Sequence, residues 1–212
     1  MGTAERRERE KEQRRNDIID AAEKIFFSKG METATMDEIA DEAELSKGTL
    51  YLYFKSKEEL FHAICQRGGA ILLELFNKYT QKGSSGLDKI HLIGEAYYEF
   101  SQKYPDYFSV IKRADALQHC DCENSEEALK AKLQGEQTLG LVGKVVAEGI
   151  SDGSIRSTLD PSTTATLLYG MSKGIFQIMS EVIPGENTPL VSDKQNFMNS
   201  FFEFIGYGLR PQ

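Results

Sequence analysis

The chain has 212 residues, 40% hydrophobic and 27% charged, with 25 Lys and Arg against 33 Asp and Glu and a formal charge of −8. That apolar content excludes a disordered chain, no run of about 18 apolar residues exists to cross a membrane, and three cysteines are too few for a disulfide scaffold. No apolar stretch follows the opening MGTAERRERE, so no secretory signal is expected and a cytoplasmic setting fits, while the negative sum argues at first against nucleic acid.

Apolar residues recur every three or four positions and period-two runs are missing, so the chain reads as all-α with about nine helices. Residues 1 to about 13 are charged, a solvated tail or a helix extension. The first packed helix runs from about Arg14 to Ser28, with Ile18, Ile19, Ala22, Ile25 and Phe26 on one face and Gly30 as its stop. Thr35-Met36-Asp37-Glu38 is a capping box opening a second, short helix. Glu44-Leu45-Ser46 makes a tight connection, and Ser46 caps a third helix, Lys47 to Phe54. Ser56-Lys57-Glu58-Glu59, a second capping box, starts a long fourth helix that ends before Lys82-Gly83-Ser84-Ser85-Gly86. The fifth spans about Leu87 to Tyr104 and the sixth begins at Pro105. His119 to Asn124 reads as a loop. The seventh runs from about Ser125 to Ile150 and breaks at Asp152-Gly153. Asp160-Pro161 opens the eighth, which runs to about Val182. Pro184 to Pro189 is a loop, and Ser192 caps the ninth, which ends by Gly206.

The second and third helices have helix-turn-helix spacing, a geometry that puts the N-terminal end of the second of the pair into the major groove. Lys47 can donate to phosphate or guanine. Gly48 permits close backbone approach. Thr49 offers a hydroxyl and a methyl, and Tyr51 and Tyr53 offer hydroxyls to phosphates. Leu50 and Phe54, four apart, anchor the helix inward. Charge follows the same division. Residues 31–46 carry six acids and no base, residues 47–57 carry three bases and no acid, and residues 1–60 together hold 11 bases and 15 acids. Because salt screens beyond about 8–10 Å, the local sign at the contact matters more than the sum. Lys57 adds its charge to the positive N-terminal turn of the fourth helix.

Thr35 to Ala40, followed by Ser46-Lys47-Gly48-Thr49-Leu50-Tyr51-Leu52-Tyr53-Phe54-Lys55-Ser56-Lys57-Glu58-Glu59-Leu60, resembles the signature of the tetracycline-repressor (TetR) family over about Arg14 to Leu60. Beyond it the likeness is one of outline, plus the segment Glu148 to Arg156. The resemblance implies a homodimeric transcription regulator, usually a repressor released by a small ligand. It implies DNA contacts at Thr35, Lys47, Gly48, Thr49, Tyr51, Tyr53 and Lys57. Two departures stand out. Asp37 occupies a place where some relatives carry a basic contact, and Leu52 is apolar where others carry a polar or larger reader.

On this reading residues 1–60 form the DNA-binding domain and residues 61–212 a helical ligand-binding and dimerisation domain. The eighth helix is apolar nearly all round and the ninth carries Phe197, Phe201, Phe202 and Phe204, and Leu168, Met171, Ile175, Phe197, Phe201 and Phe204 are the expected dimer contacts, by analogy with a four-helix interface. Tyr97, Tyr107 and Phe108 are the expected lining of an effector cavity, with ordinary core as the alternative. His119-Cys120-Asp121-Cys122 reads as an exposed loop, a metal or redox role being its alternative, and no metal or cofactor is expected. No G-x-S-x-G, H-E-x-x-H or P-loop is present, so no enzyme is expected. The expected function is sequence-specific DNA binding by a homodimeric repressor, released from a palindromic operator by a small molecule. The contrasting function is a helical protein-interaction or carrier module that does not bind DNA.

Overall fold

The computed structural model describes residues 2–114, 125–180 and 191–211. Among them are nine helices and no strand: α1 (Thr3–Lys29), α2 (Met36–Glu42), α3 (Lys47–Tyr53), α4 (Lys57–Thr80), α5 (Gly86–Lys103), α6 (Pro105–Ala114), α7 (Glu126–Asp152), α8 (Pro161–Ser180) and α9 (Lys194–Leu209). The expected loops at 119–124 and 184–189, the His119, Cys120 and Cys122 cluster, and the end of the eighth helix at Val182 lie outside the described residues.

The charged N-terminal segment is the helix extension of the two readings, so α1 starts at Thr3 and its packed part near Arg15. It stops at Gly30, whose φ of 82° lies in the region that favours glycine. Asp160 caps α8 as expected, accepting from the Thr163 amide at 2.8 Å. Two helix ends differ from the sequence reading. Asp193, not Ser192, caps α9, its carboxylate accepting from the Asn196 amide at 2.9 Å. That helix also runs through Gly206 to Leu209. Burial of Leu209 and the bond from the Arg156 amide to its carbonyl, at 2.9 Å, outweigh the weak helix propensity of glycine. The second capping box is half made. Ser56 Oγ accepts from the Glu59 amide at 3.3 Å, but the Glu59 carboxylate accepts from the Lys55 amide at 2.6 Å instead of reaching the Ser56 amide.

The chain divides into two compact units. The first comprises residues 1–69 and 105–134. Its core is Ile18, Ile19, Ala22, Phe26, Ile39, Ala40, Leu50, Phe54, Leu60, Phe61 and Ile64, against which Tyr107 and Val110 of α6 and Ala131 of α7 pack. The unit does not end at residue 60, because α6 and the head of α7 cover α1 and α4. The Tyr107 ring lies 3.0 Å from where a Cβ on Gly68 would stand, so a side chain there would push the ring back by a few tenths of an ångström.

The second unit comprises residues 70–104 and 135–212. Ile90, Ile93, Ala96, Phe100, Val145, Val146, Ile155, Ala165 and Phe176 are buried in it. Here α5 begins against the end of α7. The Gly86 amide donates to Asp152 at 2.7 Å and the Leu87 amide to Ser154 Oγ at 3.0 Å. A Cβ on Gly86 would stand 2.2 Å from the Gly149 backbone, and one on Gly149 would stand 2.5 Å from the Ile155 side chain. The Glu148–Arg156 segment thus seats the start of α5 in this unit.

Candidate nucleic-acid interface

The α2–α3 pair is held by short-range bonds that its sequence dictates. Thr35 Oγ1 accepts from the Glu38 amide at 3.3 Å, and Glu38 Oε2 accepts from the Thr35 amide at 2.9 Å and its hydroxyl at 2.8 Å. The Lys29 ammonium bonds the other Glu38 oxygen, tying α2 to the end of α1. These bonds, that of Lys29 foremost, pull the Glu38 carboxyl from the ordinary 4.5 to about 2. Residues 43–46 connect the pair. Glu44 takes φ 54°, a left-handed conformation usually given to glycine, and the Leu45 amide closes the turn on the Ala40 carbonyl at 2.9 Å. Ser46 then caps α3, its Oγ accepting from the Thr49 amide at 3.2 Å and lying 2.8 Å from Thr49 Oγ1.

Inside, Leu50 and Phe54 are fully buried. Outside, α3 presents Lys47, Gly48, Tyr51 and Leu52 to solvent, with Thr49 and Tyr53 half-buried at the flanks. The Lys47 ammonium bonds Asp37 Oδ2 at 2.5 Å, which raises its pKa and keeps it charged. The departure at Asp37 therefore has a structural consequence: an incoming phosphate must compete with that carboxylate for Lys47. Lys57 donates to the carbonyls of Met31 and Glu32 at 3.1 and 3.2 Å, closing the loop between α1 and α2. Thr35 is exposed and its hydroxyl serves the cap.

The sequence reading undervalued three residues. Leu52 is 77% exposed, against 43% for Tyr51. Its position, two residues from both Leu50 and Phe54 on a 100° helix, already places it outward. Exposed Lys55 donates to the Tyr51 carbonyl at 2.7 Å, at the C-terminal end of α3. Arg15 lies over the Phe54 ring at 5.3 Å and bonds Glu127 of α7 at 2.5 Å, so a largely buried ion pair backs the anchor of the recognition helix. No sequence signal links residues 112 positions apart.

The family profile described as "Bacterial regulatory proteins, tetR family" matches residues 18–64, the segment just built. The chain is 32% identical over 149 residues to the HTH-type transcriptional repressor KstR2 of Rhodococcus jostii, covering 69% of this chain and 70% of that protein. It is 39% identical over 175 residues to the HTH-type transcriptional regulator YfiR of Bacillus subtilis, covering 79% and 80%. The chain belongs to the TetR family. Its fold matches that of AibR in the crystal structure of AibR with isovaleryl coenzyme A and operator DNA, with TM-score 0.65 and 17% identity over 90% of this chain and 97% of that one. This TetR-family chain is a helix-turn-helix transcriptional regulator, and its family is one of regulators rather than enzymes. TetR-family regulators bind operator DNA as dimers and respond to small-molecule ligands. No helix among the described residues is long and apolar enough to cross a membrane.

The remaining expected site residues of this TetR-family chain fall in different units. Tyr97, in the second, stacks edge-on against Phe176 at 4.9 Å and Phe76 at 6.4 Å. Tyr107 and Phe108 stand on α6 in the first. The Tyr107 hydroxyl donates to Glu23 of α1 at 2.7 Å, and its ring meets Phe27 edge-on at 5.3 Å. Burial first, then Glu23, raises its pKa. Arg67 of α4 joins this group through Asp20 at 2.6 Å and Glu23 at 2.9 Å. In the second unit, Leu167, Leu168, Met171, Phe204, Ile205 and Gly208 line an open apolar groove of about 160 Å³ between α8 and α9. Met171 and Phe204 are exposed, and Leu168, Ile175, Phe197 and Phe201 are half-buried.

Proposed function

We propose that this chain is a homodimeric repressor that binds a palindromic operator and leaves it when a small molecule binds. The observation that carries the reading is the outer face of α3. Lys47, Gly48 and Tyr51 are exposed there on a helix whose other side is locked by Leu50 and Phe54. Residues 1–60 read DNA and residues 61–212 bind effector and partner. Lys47 and Thr49 take base edges or phosphates, while Tyr51, Tyr53, Thr35 and Lys57 take phosphates. Gly48 lets the backbone approach. Leu168, Met171, Ile175, Phe197, Phe201 and Phe204 form the two-fold interface, supported by the exposed apolar surface of α8 and α9.

Effector contact is assigned to Tyr97 in the second unit, while Tyr107, bonded to Glu23 within the first unit, takes the core alternative. An acyl thioester of coenzyme A is the ligand class, on the likeness to AibR and the apolar rings around Tyr97. Such a ligand must prefer one arrangement of the two recognition helices to change DNA affinity. The protein works in the cytoplasm and has no catalytic role.

Selection from random duplexes tests the reading. Enrichment of a palindrome with two half-sites is expected, and failure to enrich any sequence at low salt overturns it. Titration of acyl-coenzyme A thioesters against the selected duplex is expected to release the protein, and release by none of them removes that ligand class.

A further inference from the structure

Residues 4–14 of α1 are exposed on every side, so this stretch projects from the first unit by about 16 Å at 1.5 Å per residue. Its charges are sorted. Arg7, Lys11 and Arg14 recur at intervals of four and three, and the same seam continues as Ile18, Ala22 and Ile25, which face the core. Glu5, Glu8 and Glu12 lie along a separate flank. The neighbouring bases are engaged, Arg6 by Glu10 at 2.7 Å and Arg15 by Glu127 at 2.5 Å. Among the described residues, Arg7, Lys11 and Arg14 make no ion pair or hydrogen bond. Lys11 is within electrostatic range of Glu126, but Lys130 already holds that carboxylate at 2.7 Å.

The inner end of the projection is fixed beside the recognition helix, where Arg15 covers Phe54, the residue that ends α3. Three unengaged cations therefore start next to α3 and run outward along one face, spaced about 6 and 4.5 Å apart in rise. A straight row of like charges with no partner among the described residues fits a regular polyanion. We propose that Arg7, Lys11 and Arg14 form a second, sequence-independent contact with the phosphates of duplex DNA flanking the segment that α3 reads. The proposal rests on the DNA-binding reading above. It also gives a chain of net charge −8 a local means of holding DNA.

The test uses the palindrome selected by the wild-type chain, once alone and once extended by about one helical turn on each side. On the extended duplex, the triple variant Arg7→Gln, Lys11→Gln, Arg14→Gln is expected to bind at least about 10-fold more weakly at low salt. Its plot of log affinity against log salt should be shallower by about 2–3 per subunit. On the bare palindrome it should match wild type. The companion variant Glu5→Gln, Glu8→Gln, Glu12→Gln changes the same helix by the same number of charges and should keep the full slope. Unchanged slope and affinity on the extended duplex overturn the proposal. So does an equal loss on both lengths, or a loss in the companion variant. If wild type selects no palindrome, the DNA reading fails as well. If it selects one and the triple variant behaves like wild type, only this inference fails.

Discussion

The first unit seals Ile18, Ile39, Leu50, Phe54, Leu60, Phe61 and Ile64 inside, and among its described residues the large apolar groups left exposed, Tyr51 and Leu52 on α3 and Leu129 and Leu133 on α7, include no phenylalanine. The second unit buries Phe100, Val146, Ile155 and Met198, yet leaves Leu167 58%, Tyr207 69% and Phe204 70% exposed on α8 and α9. Both are built from the same helical alphabet, so the difference is one of completion. At roughly 25 cal/mol per Å² of apolar surface, a face like that of α8 and α9 is worth covering. The first unit instead spends its outer surface on polar groups: caps, the Lys47–Asp37 pair and the row at Arg7, Lys11 and Arg14.

Phe54→Ala probes the closed unit and should have the largest effect, a loss of about 3–5 kcal/mol, since the ring is fully buried and lies under Arg15. Urea unfolding followed by circular dichroism measures it, and a loss below about 1 kcal/mol would show that this core is not close-packed. Phe204→Asp probes the open face. It should leave folding almost intact but weaken self-association by at least about 2 kcal/mol, roughly 30-fold. Sedimentation velocity that still gives a dimer of wild-type strength would break the contrast between the units.

Thr35→Ala removes the α2 cap and should cost about 1 kcal/mol by thermal unfolding. The cap also carries a pH signature. Because the folded carboxyl of Glu38 titrates at about 2 rather than 4.5, its stabilisation is complete above about 4.5 and is lost as pH falls toward 2. Glu38→Gln should flatten the stability–pH curve in that window, and an unchanged curve would remove the assignment. The smallest effect is expected at the α2–α3 turn. Glu44→Gly relieves the left-handed strain at φ 54° but loosens the unfolded chain, for a net gain of about 0.5–1 kcal/mol. A drop in melting temperature would mean that the Glu44 side chain contributes more than its backbone costs.

Helix type and order were readable because each signal is local. The caps at Thr35, Ser46 and Asp160, the stop at Gly30 and the inward pair Leu50 and Phe54 act within one or two turns. Where a boundary depended on distant packing, the reading slipped. Residues 4–13 are exposed and carry no periodic apolar signal, which left a tail and a helix extension both open, and they continue a helix already nucleated by the packed part of α1. Gly206 reads as a stop, yet α9 continues to Leu209, which is buried and bonded to Arg156. Among the site residues, those on α3 follow from their helical phase. The engagement of Lys57 by two carbonyls and of Tyr107 by Glu23 does not, because those partners come from other helices or loops.

By itself the sequence determined an all-helical chain, the helix-turn-helix at residues 36–53 and the outward set on α3, since hydrogen-bonded caps and a 100° periodicity are short-range physics. Only the tertiary structure decided that α6 and the head of α7 pack with α1 and α4, and that Arg15 and Glu127 meet behind Phe54. It alone decided that Asp37 holds Lys47 while, among the described residues, Arg7, Lys11 and Arg14 make no ion pair. Which charge finds a partner depends on distances across the fold, and those are set by how the buried faces close on one another.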